Sequence, residues 1–514
     1  MSNVLSFQFT SADYVLALPM IMLAMFALGI LLIDLMLPRE WKQVNAFTAL
    51  AGIAFSAIAV SKLHWAYRVA EQQGGTGESF TGFMGALVVD RFAIYFFYLF
   101  LVGAAIAILM SMRYLEIEQE NHGEFYALLL FSVVGMMCMA AGYDIVLLFI
   151  GLELMAISTY ILVGFLRRDK RSNEAALKYL LLGAFSSGLF AYGLSLFYGV
   201  TGSTNLGFIA RRLAEVMAQR PHDPVVAFAL LTTTVGLLFK IAAVPFHQWA
   251  PDAYEGAPTS VTGFMSVAVK AAGWALLLRI FLFGLGPLRS MYVPLLIIVS
   301  IITMTVGNLA AISQTNLKRL LAYSSIAHVG YMLLGLVASD GVNNSTGIMA
   351  ILIYLLVYTF MNLGAFAVIT SLRRRSIIGD DIDDIAGLYF KAPVEALLML
   401  AFLLSLSGIP PLAGFLGKYF IFLALIQTGH YALATLGVLY SVIGLYYYMR
   451  IASAMLIKPA VDTEPVHLGP AMGLALVLTA AGTIFIGIFP NYFINAVNWS
   501  LGIMGSSHTA MLVR

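Results

Sequence analysis

Charge is scarce in this sequence. Lys, Arg, Asp and Glu make up only 11% of the 514 residues, against 61% hydrophobic ones. A soluble domain carries roughly a quarter charged residues, so a chain this long and apolar cannot cover itself with a polar surface. A bilayer removes that need, because lipid solvates apolar side chains. The length therefore reads as one large helical bundle and not as three or four soluble domains. Cysteine is almost absent. The single Cys138, inside an apolar run, cannot close an internal disulfide or hold an iron–sulfur cluster, which takes several cysteine ligands. Basic blocks are missing, which argues against nucleic acid, and the net charge of +2 says little about partners. No Lys or Arg precedes the first apolar run in MSNVLSFQFTSADYV, against a cleaved signal peptide. There is no P-loop and no GxGxxG after a strand, so no nucleotide site is expected. No cluster of His, Cys and carboxylates has useful metal-ligand spacing.

What the chain has in abundance is apolar runs long enough to cross ~30 Å of hydrocarbon. Fourteen spans are expected, near 13–37, 44–66, 91–112, 124–141, 143–165, 174–200, 225–250, 260–283, 292–312, 319–337, 346–372, 393–427, 430–455 and 469–490. The fold class is all-α and polytopic. Gly142-Tyr143-Asp144 alone separates spans 4 and 5, so that turn is tight. The loops alternate in charge. One set holds Arg39 and Lys42, then Arg167, Arg168, Lys170 and Arg171, then Lys318 and Arg319, then Arg373, Arg374, Arg375 and Lys391, then Arg450 and Lys458. The positive-inside rule makes this set cytoplasmic, and an even number of spans then places both termini outside. Arg211, Arg212 and Arg220 count against this, but they lie in the longest outer loop, where the rule is weaker.

Two spans are interrupted. One reads VGLLFKIAAVPFHQWAPDAYEGAP, with Lys240 ahead of Pro245; the other reads LSGIPPLAGFLGKYF, with Pro410-Pro411 ahead of Lys418. Proline removes a backbone donor and breaks the helical ladder. A packing kink is the plain reading of either proline alone. Two interrupted spans, each with a lysine, point instead to broken helices at an ion site. Span 7 runs inward and span 12 outward, as expected if spans 4–8 and 9–13 are inverted-topology repeats.

The informative residues are charges where apolar ones belong. Glu153 lies mid-span in DIVLLFIGLELMAISTYIL, Lys240 in TTTVGLLFKIAAVPF, and Lys270 in TGFMSVAVKAAGWALLL. Lys418 follows the Pro-Pro break, and Lys178 lies in NEAALKYLLLGAFSSG nearer the cytoplasmic end. A charge at the bilayer centre costs roughly 2.5–3.5 kcal/mol on insertion scales, so these residues must face a wet cavity or one another. Desolvation works against a charged form, and a buried acid or amine can then exchange its proton near physiological pH. Lys178 is four residues after Glu174, so a surface helix pair with snorkelling competes with a site role. A structural ion pair is the competing role for Glu153. Arg279, near a span end, is expected to snorkel. His247 and His328 could relay protons; ligation of a haem by the two is the weaker alternative. GDDIDDIAGLYFKAP reads as a solvated loop or partner contact in preference to a metal site.

At this point a resemblance emerges. FIGLELMAISTYILVGF, LFKIAAVPFHQWAPDAYEGAPTSVTGFMSVAVKAA, NLKRLLAYSSIAHVGYML and LSLSGIPPLAGFLGKYFIF are similar to the antiporter-like membrane subunits of respiratory complex I, the bacterial NADH–quinone oxidoreductase. Within that group the N-type subunits fit best, over spans 3 to 14. The chain has Lys418 where the M type and one antiporter subunit type carry glutamate. The stretch after span 14 is too short for the long lateral helix of the L type. The resemblance implies fourteen helices with discontinuous helices 7 and 12. It divides the chain into helices 1–3 (1–120), a first five-helix repeat (121–285), a second, inverted one (286–456), and helix 14 with its tail (457–514). It also implies a subunit without redox centres of its own, in a complex whose FMN, iron–sulfur clusters and quinone belong to other subunits. The expected neighbours are the M-type antiporter-like subunit and small membrane subunits, in the bacterial inner membrane.

The proton-transfer residues of that family fall on Glu153, Lys178, Lys240, Lys270 and Lys418. The expected path takes a proton from the cytoplasm through the Lys178–Lys240–Lys270 region to Lys418 and outward, with a Glu153–Lys240 ion pair as its gate. A subunit of a multisubunit sodium/proton antiporter is the alternative, since the helical core is shared. A non-conducting scaffold is a third reading.

Overall fold

The computed structural model describes residues 10–72, 80–339, 345–373, 380–460 and 468–502. The expectations about the two termini, and about Arg374 and Arg375, lie outside the described residues. Among the described residues, thirteen helices are long and apolar enough to cross a membrane, from Ser11–Met36 to Pro470–Ile488. The remaining crossing, span 12, is made of two shorter apolar helices, Pro393–Ser407 and Ala413–Gln427. Spans 8, 10 and 11 are 89%, 94% and 89% buried over their apolar windows, whereas spans 1, 6, 13 and 14 are 33% buried. The first group is the axis of the bundle and the second its rim. A helix apolar all round can sit in either place, so hydropathy alone could not separate them.

Both interruptions are real. The first part of span 7, Pro224–Ile241, ends at Ala242 in the left-handed region (φ 61), and the helix resumes at Trp249–Gly256. The groups freed by Pro245 find other partners. Val244 N donates to Thr303 Oγ1 at 3.1 Å, and the Trp249 indole N–H donates to the Phe239 carbonyl at 2.9 Å. In span 12 the first helix ends at Gly408 (φ 88), and the amide of Gly414 donates to Ser405 Oγ at 3.0 Å. A Cβ on Gly414 would meet the Ser405 carbonyl oxygen at 1.7 Å, so only glycine allows the two halves to approach this closely. Each break also contains a cis X–Pro peptide, at Val244-Pro245 and Pro410-Pro411.

Hydropathy did not show three further features. A small antiparallel hairpin, Phe80–Gly82 with Leu87–Val89, closes the outer side between spans 2 and 3. Tyr67 Oη donates to the Val89 carbonyl, and Tyr143 N donates to the Ala86 carbonyl at 2.8 Å, tying the hairpin to span 2 and to the turn between spans 4 and 5. The long outer loop contains the helix Leu206–Gln219, which buries Leu206, Ile209 and Leu213 on one stripe. Arg211 and Arg212 therefore lie off the packed stripe of a surface helix. Span 8 has two π-helical turns, Met265–Val269 and Arg279–Gly284.

Arg279 corrects an expectation. It does not snorkel; it is fully buried. Its two terminal nitrogens donate to both Asp90 carboxylate oxygens at 2.6 Å, and Nε donates to the Ala140 carbonyl at 2.7 Å. Asp90 also caps span 3 by accepting from Ala93 N at 2.7 Å. A bidentate pair with all three nitrogens engaged is cheaper to keep inside the bundle than to extend to the interface. Asp90→Ala should destabilise the subunit by about 3–5 kcal/mol, because it leaves a buried unpaired guanidinium. Thermal unfolding in detergent would show a large drop for this variant and a partial recovery in Asp90→Leu combined with Arg279→Met.

Candidate functional site

Three lysines lie inside the bundle, and each stands at a defect in a helix. Lys240 is in the last turn before the break in span 7 and is 5% exposed. Its ammonium faces the rings of Tyr160 and Tyr179, 5.9 and 6.0 Å from their centroids. Tyr179 stacks on Trp249, the first residue after the break, with centroids 4.4 Å apart. The two sides of the interruption thus build one aromatic cage, and such a cage attracts a cation. Lys270 follows directly on the first π-turn of span 8. Its Nζ donates to Ser325 Oγ of span 10, and the Tyr254 ring lies 6.0 Å away. Lys418 follows the break in span 12. Its Nζ donates to the Ser407 carbonyl and to Ser441 Oγ, both at 2.8 Å, with the Tyr331 ring 5.2 Å away. The Ser407 carbonyl belongs to the last turn of the first half-helix, where the backbone dipole favours a cation. A cavity of about 380 Å³, lined by Ser407, Lys418, Ser441, Phe415, Phe422 and Val442 among others, opens beside Lys418 between spans 12 and 13.

The expected Glu153–Lys240 ion pair is not closed. No carboxylate oxygen lies within 4.0 Å of the Lys240 ammonium among the described residues, and Glu153 Oε1 is buried without a hydrogen-bond partner. Glu153 acts on Lys240 through space while the ammonium sits against the tyrosine faces. His328 lies between Lys270 and Lys418 on span 10, 2% exposed. Tyr354 Oη lies 2.5 Å from its Nδ1 and Tyr448 Oη 3.0 Å from its Nε2. His247 lies in the break of span 7, its Nδ1 buried without a hydrogen-bond partner.

Lys178 stands apart. Its side chain is 45% exposed, and Nζ pairs with Glu174 at 2.8 Å and Asp252 at 2.9 Å. Asp252 also takes Arg319 at 2.7 Å, and Arg319 takes Glu255 at 2.9 Å. This five-residue network joins span 6, the second part of span 7 and the first turn of span 10. Sequence reading missed Asp252 and Glu255, although PDAYEGAP directly after the break was the available signal. It also missed the tyrosines and serines around the lysines, because such residues are ordinary in apolar spans and carry no distinguishing pattern.

The acidic loop is spent on structure. Asp380 pairs with Lys318 at 3.0 Å and Asp383 with Lys458 at 3.1 Å, while Asp381 accepts from Asn316. Burial, with Asp384 nearby, raises the Asp381 carboxyl above the ordinary carboxylate range. Among the described residues no three His, Cys, Asp or Glu side chains gather as a metal site.

Gly408→Ala tests how the break positions its lysine. The new Cβ would adopt a positive φ and come within 2.9 Å of Lys418 Cδ. The variant should lose about 1–2 kcal/mol, read by thermal unfolding in detergent.

The family described as NADH:quinone oxidoreductase/Mrp antiporter, TM matches residues 142–444, which include Glu153, Lys178, Lys240, Lys270 and Lys418. The chain is 67% identical over 505 residues to NADH-quinone oxidoreductase subunit N 1 of Koribacter versatilis (strain Ellin345), covering 98% of each chain. A chain in the structure of respiratory complex I from Thermus thermophilus with bound Aureothin superposes with a TM-score of 0.76 at 33% identity, over 93% of this chain and 99% of that one. A chain of the Mrp complex from Dietzia sp. DQ12-45-1b superposes with a TM-score of 0.80 over 98% and 99%, but at 19% identity, which speaks to the fold alone. An all-helical, multi-pass bundle with two interrupted spans, matched over nearly its whole length by such relatives, belongs to the family of NADH-quinone oxidoreductase N subunits.

Proposed function

We propose that this chain moves protons across the membrane through Lys240, Lys270, His328 and Lys418. One contrast carries the reading. Arg279 and Lys318, both buried cations, have carboxylate partners. Lys240, Lys270 and Lys418 are equally buried, yet among the described residues none has a carboxylate within ion-pair distance. A permanent ammonium in an apolar bundle calls for a counter-ion. One held only by hydroxyls, a carbonyl and aromatic faces is suited to lose and regain a proton.

Uptake is from the cytoplasm, where Lys178 and the Asp252–Arg319 network approach the break in span 7, with His247 in that break. Glu153 gates Lys240: its approach holds the proton and its withdrawal releases it. Release is outward from Lys418. One interrupted span in each of 121–285 and 286–456 supports two inverted repeats, with both termini periplasmic in a bacterial inner membrane. FMN, iron–sulfur clusters and quinone act in other subunits of the complex, and an M-type antiporter-like subunit and small membrane subunits flank this one. The half-exposed charges of span 6 support a protein neighbour there, because lipid would not solvate them.

The high identity to N subunits favours complex I over a sodium/proton antiporter. Purification with natural partners separates the two, through flavin and iron–sulfur absorbance or its lack. In reconstituted complex, Lys240→Ala should lower proton pumping by about tenfold or more, and quinone reduction should fall with it if the two are tightly coupled. Normal pumping in that variant would sink the lysine path. An unchanged proton-to-electron ratio in Lys418→Ala would favour a scaffold.

A further inference from the structure

Both nitrogens of the His328 ring are taken by tyrosine hydroxyls from two different spans. Tyr354 belongs to span 11 and meets Nδ1 at 2.5 Å; Tyr448 belongs to span 13 and meets Nε2 at 3.0 Å. Tyr448 Oη is also bonded to Ser324 Oγ. All four groups are buried. A neutral imidazole donates from one nitrogen and accepts at the other, so the four form one continuous, directional row. Its two ends each adjoin, in sequence or by packing, a residue next to or bonded to a different lysine. Ser324 precedes Ser325, the hydroxyl that holds Lys270. Tyr354 packs on Gly417, where a Cβ would meet its Cδ2 at 2.9 Å, and Gly417 precedes Lys418.

We infer that Tyr354 and Tyr448 relay protons to and from His328, making it a one-proton stepping stone whose tautomer records each passage. This rests on the proton path proposed above. A proton arriving from the Lys270 side bonds to the Tyr448 oxygen while the hydroxyl proton of Tyr448 passes to Nε2. The Nδ1 proton passes to the Tyr354 oxygen, and the original Tyr354 proton leaves toward Lys418. One proton enters, one leaves, and no charge remains. The ring ends with its proton on Nε2 instead of Nδ1. A second proton cannot follow in the same direction until the tautomer is reset, so the row passes protons singly. Without either hydroxyl, one ring nitrogen faces an apolar ring and the row is cut.

The test uses whole complex reconstituted in proteoliposomes, with Tyr354→Phe, Tyr448→Phe and Tyr358→Phe. The Tyr358 ring also packs on His328, with centroids 5.1 Å apart, but its hydroxyl is bonded to neither ring nitrogen and faces Ser325 instead. Tyr354→Phe and Tyr448→Phe should each lower the pumping rate about tenfold or more, with unfolding temperature unchanged and an altered solvent deuterium isotope effect. Tyr358→Phe should lose far less than either. Parent rates and isotope effects in both of the first two variants overturn the proposal, as does an equal loss in Tyr358→Phe, which would indicate cage packing alone. His328→Ala separates the two levels of the argument. If it pumps normally, the path through His328 fails; if it fails to pump while both tyrosine variants succeed, only the tyrosine row fails.

Discussion

A cation inside an apolar bundle has to be solvated by something, and the structure is organised around how each one is. Water is replaced by three kinds of substitute. Arg279 and Lys318 have carboxylates. Lys240 has the faces of two tyrosines. Lys270 and Lys418 have serine hydroxyls and, for Lys418, a carbonyl at the end of a half-helix. The first kind fixes a charge in place. The other two stabilise it less, which is what the proposed proton path requires of these lysines. The interruptions in spans 7 and 12 follow from the same need, since an intact helix offers no free carbonyl or re-aimed ring at mid-membrane.

The cages are assembled from distant parts of the chain. Tyr160, Tyr179 and Trp249 come from spans 5, 6 and 7, and their rings form one packed group beside Lys240. The partners of His328 come from spans 11 and 13. The polar line is therefore a property of the packed bundle, and breaking the packing at any one of these helices would leave a lysine without its surroundings.

Much of this could be read from residues alone. Helix number, the two broken spans and the buried lysines follow from hydropathy, proline and charge, because in a membrane each of these is a strong constraint. Arg279 was misread because sequence position near a span end does not reveal Asp90, 189 residues away, as its partner. The Glu153–Lys240 pair was expected as a gate; the two stand apart here, with tyrosine rings that no spacing rule predicts against the ammonium. Tyr354 and Tyr448 were invisible for the same reason. A tyrosine in an apolar span looks like interfacial or core packing until its hydroxyl is seen on an imidazole.

Span 8 carries two cations nine residues apart, Lys270 and Arg279. At about 100° per residue they point to opposite sides of the helix, one toward span 10 and the other toward spans 3 and 4. Arg279 is locked to neighbouring elements by four contacts, with Asp90, Ala140 and the ring of Phe92. The helix is thus pinned at one end like a lever on a fulcrum. Nine residues make an arm of roughly 13 Å, so a tilt of about 5° at Arg279 would carry Lys270 by roughly 1 Å, enough to break a single hydrogen bond. The most rigid ion pair in the molecule is in this sense what turns a small rotation of one helix into a defined displacement at the lysine.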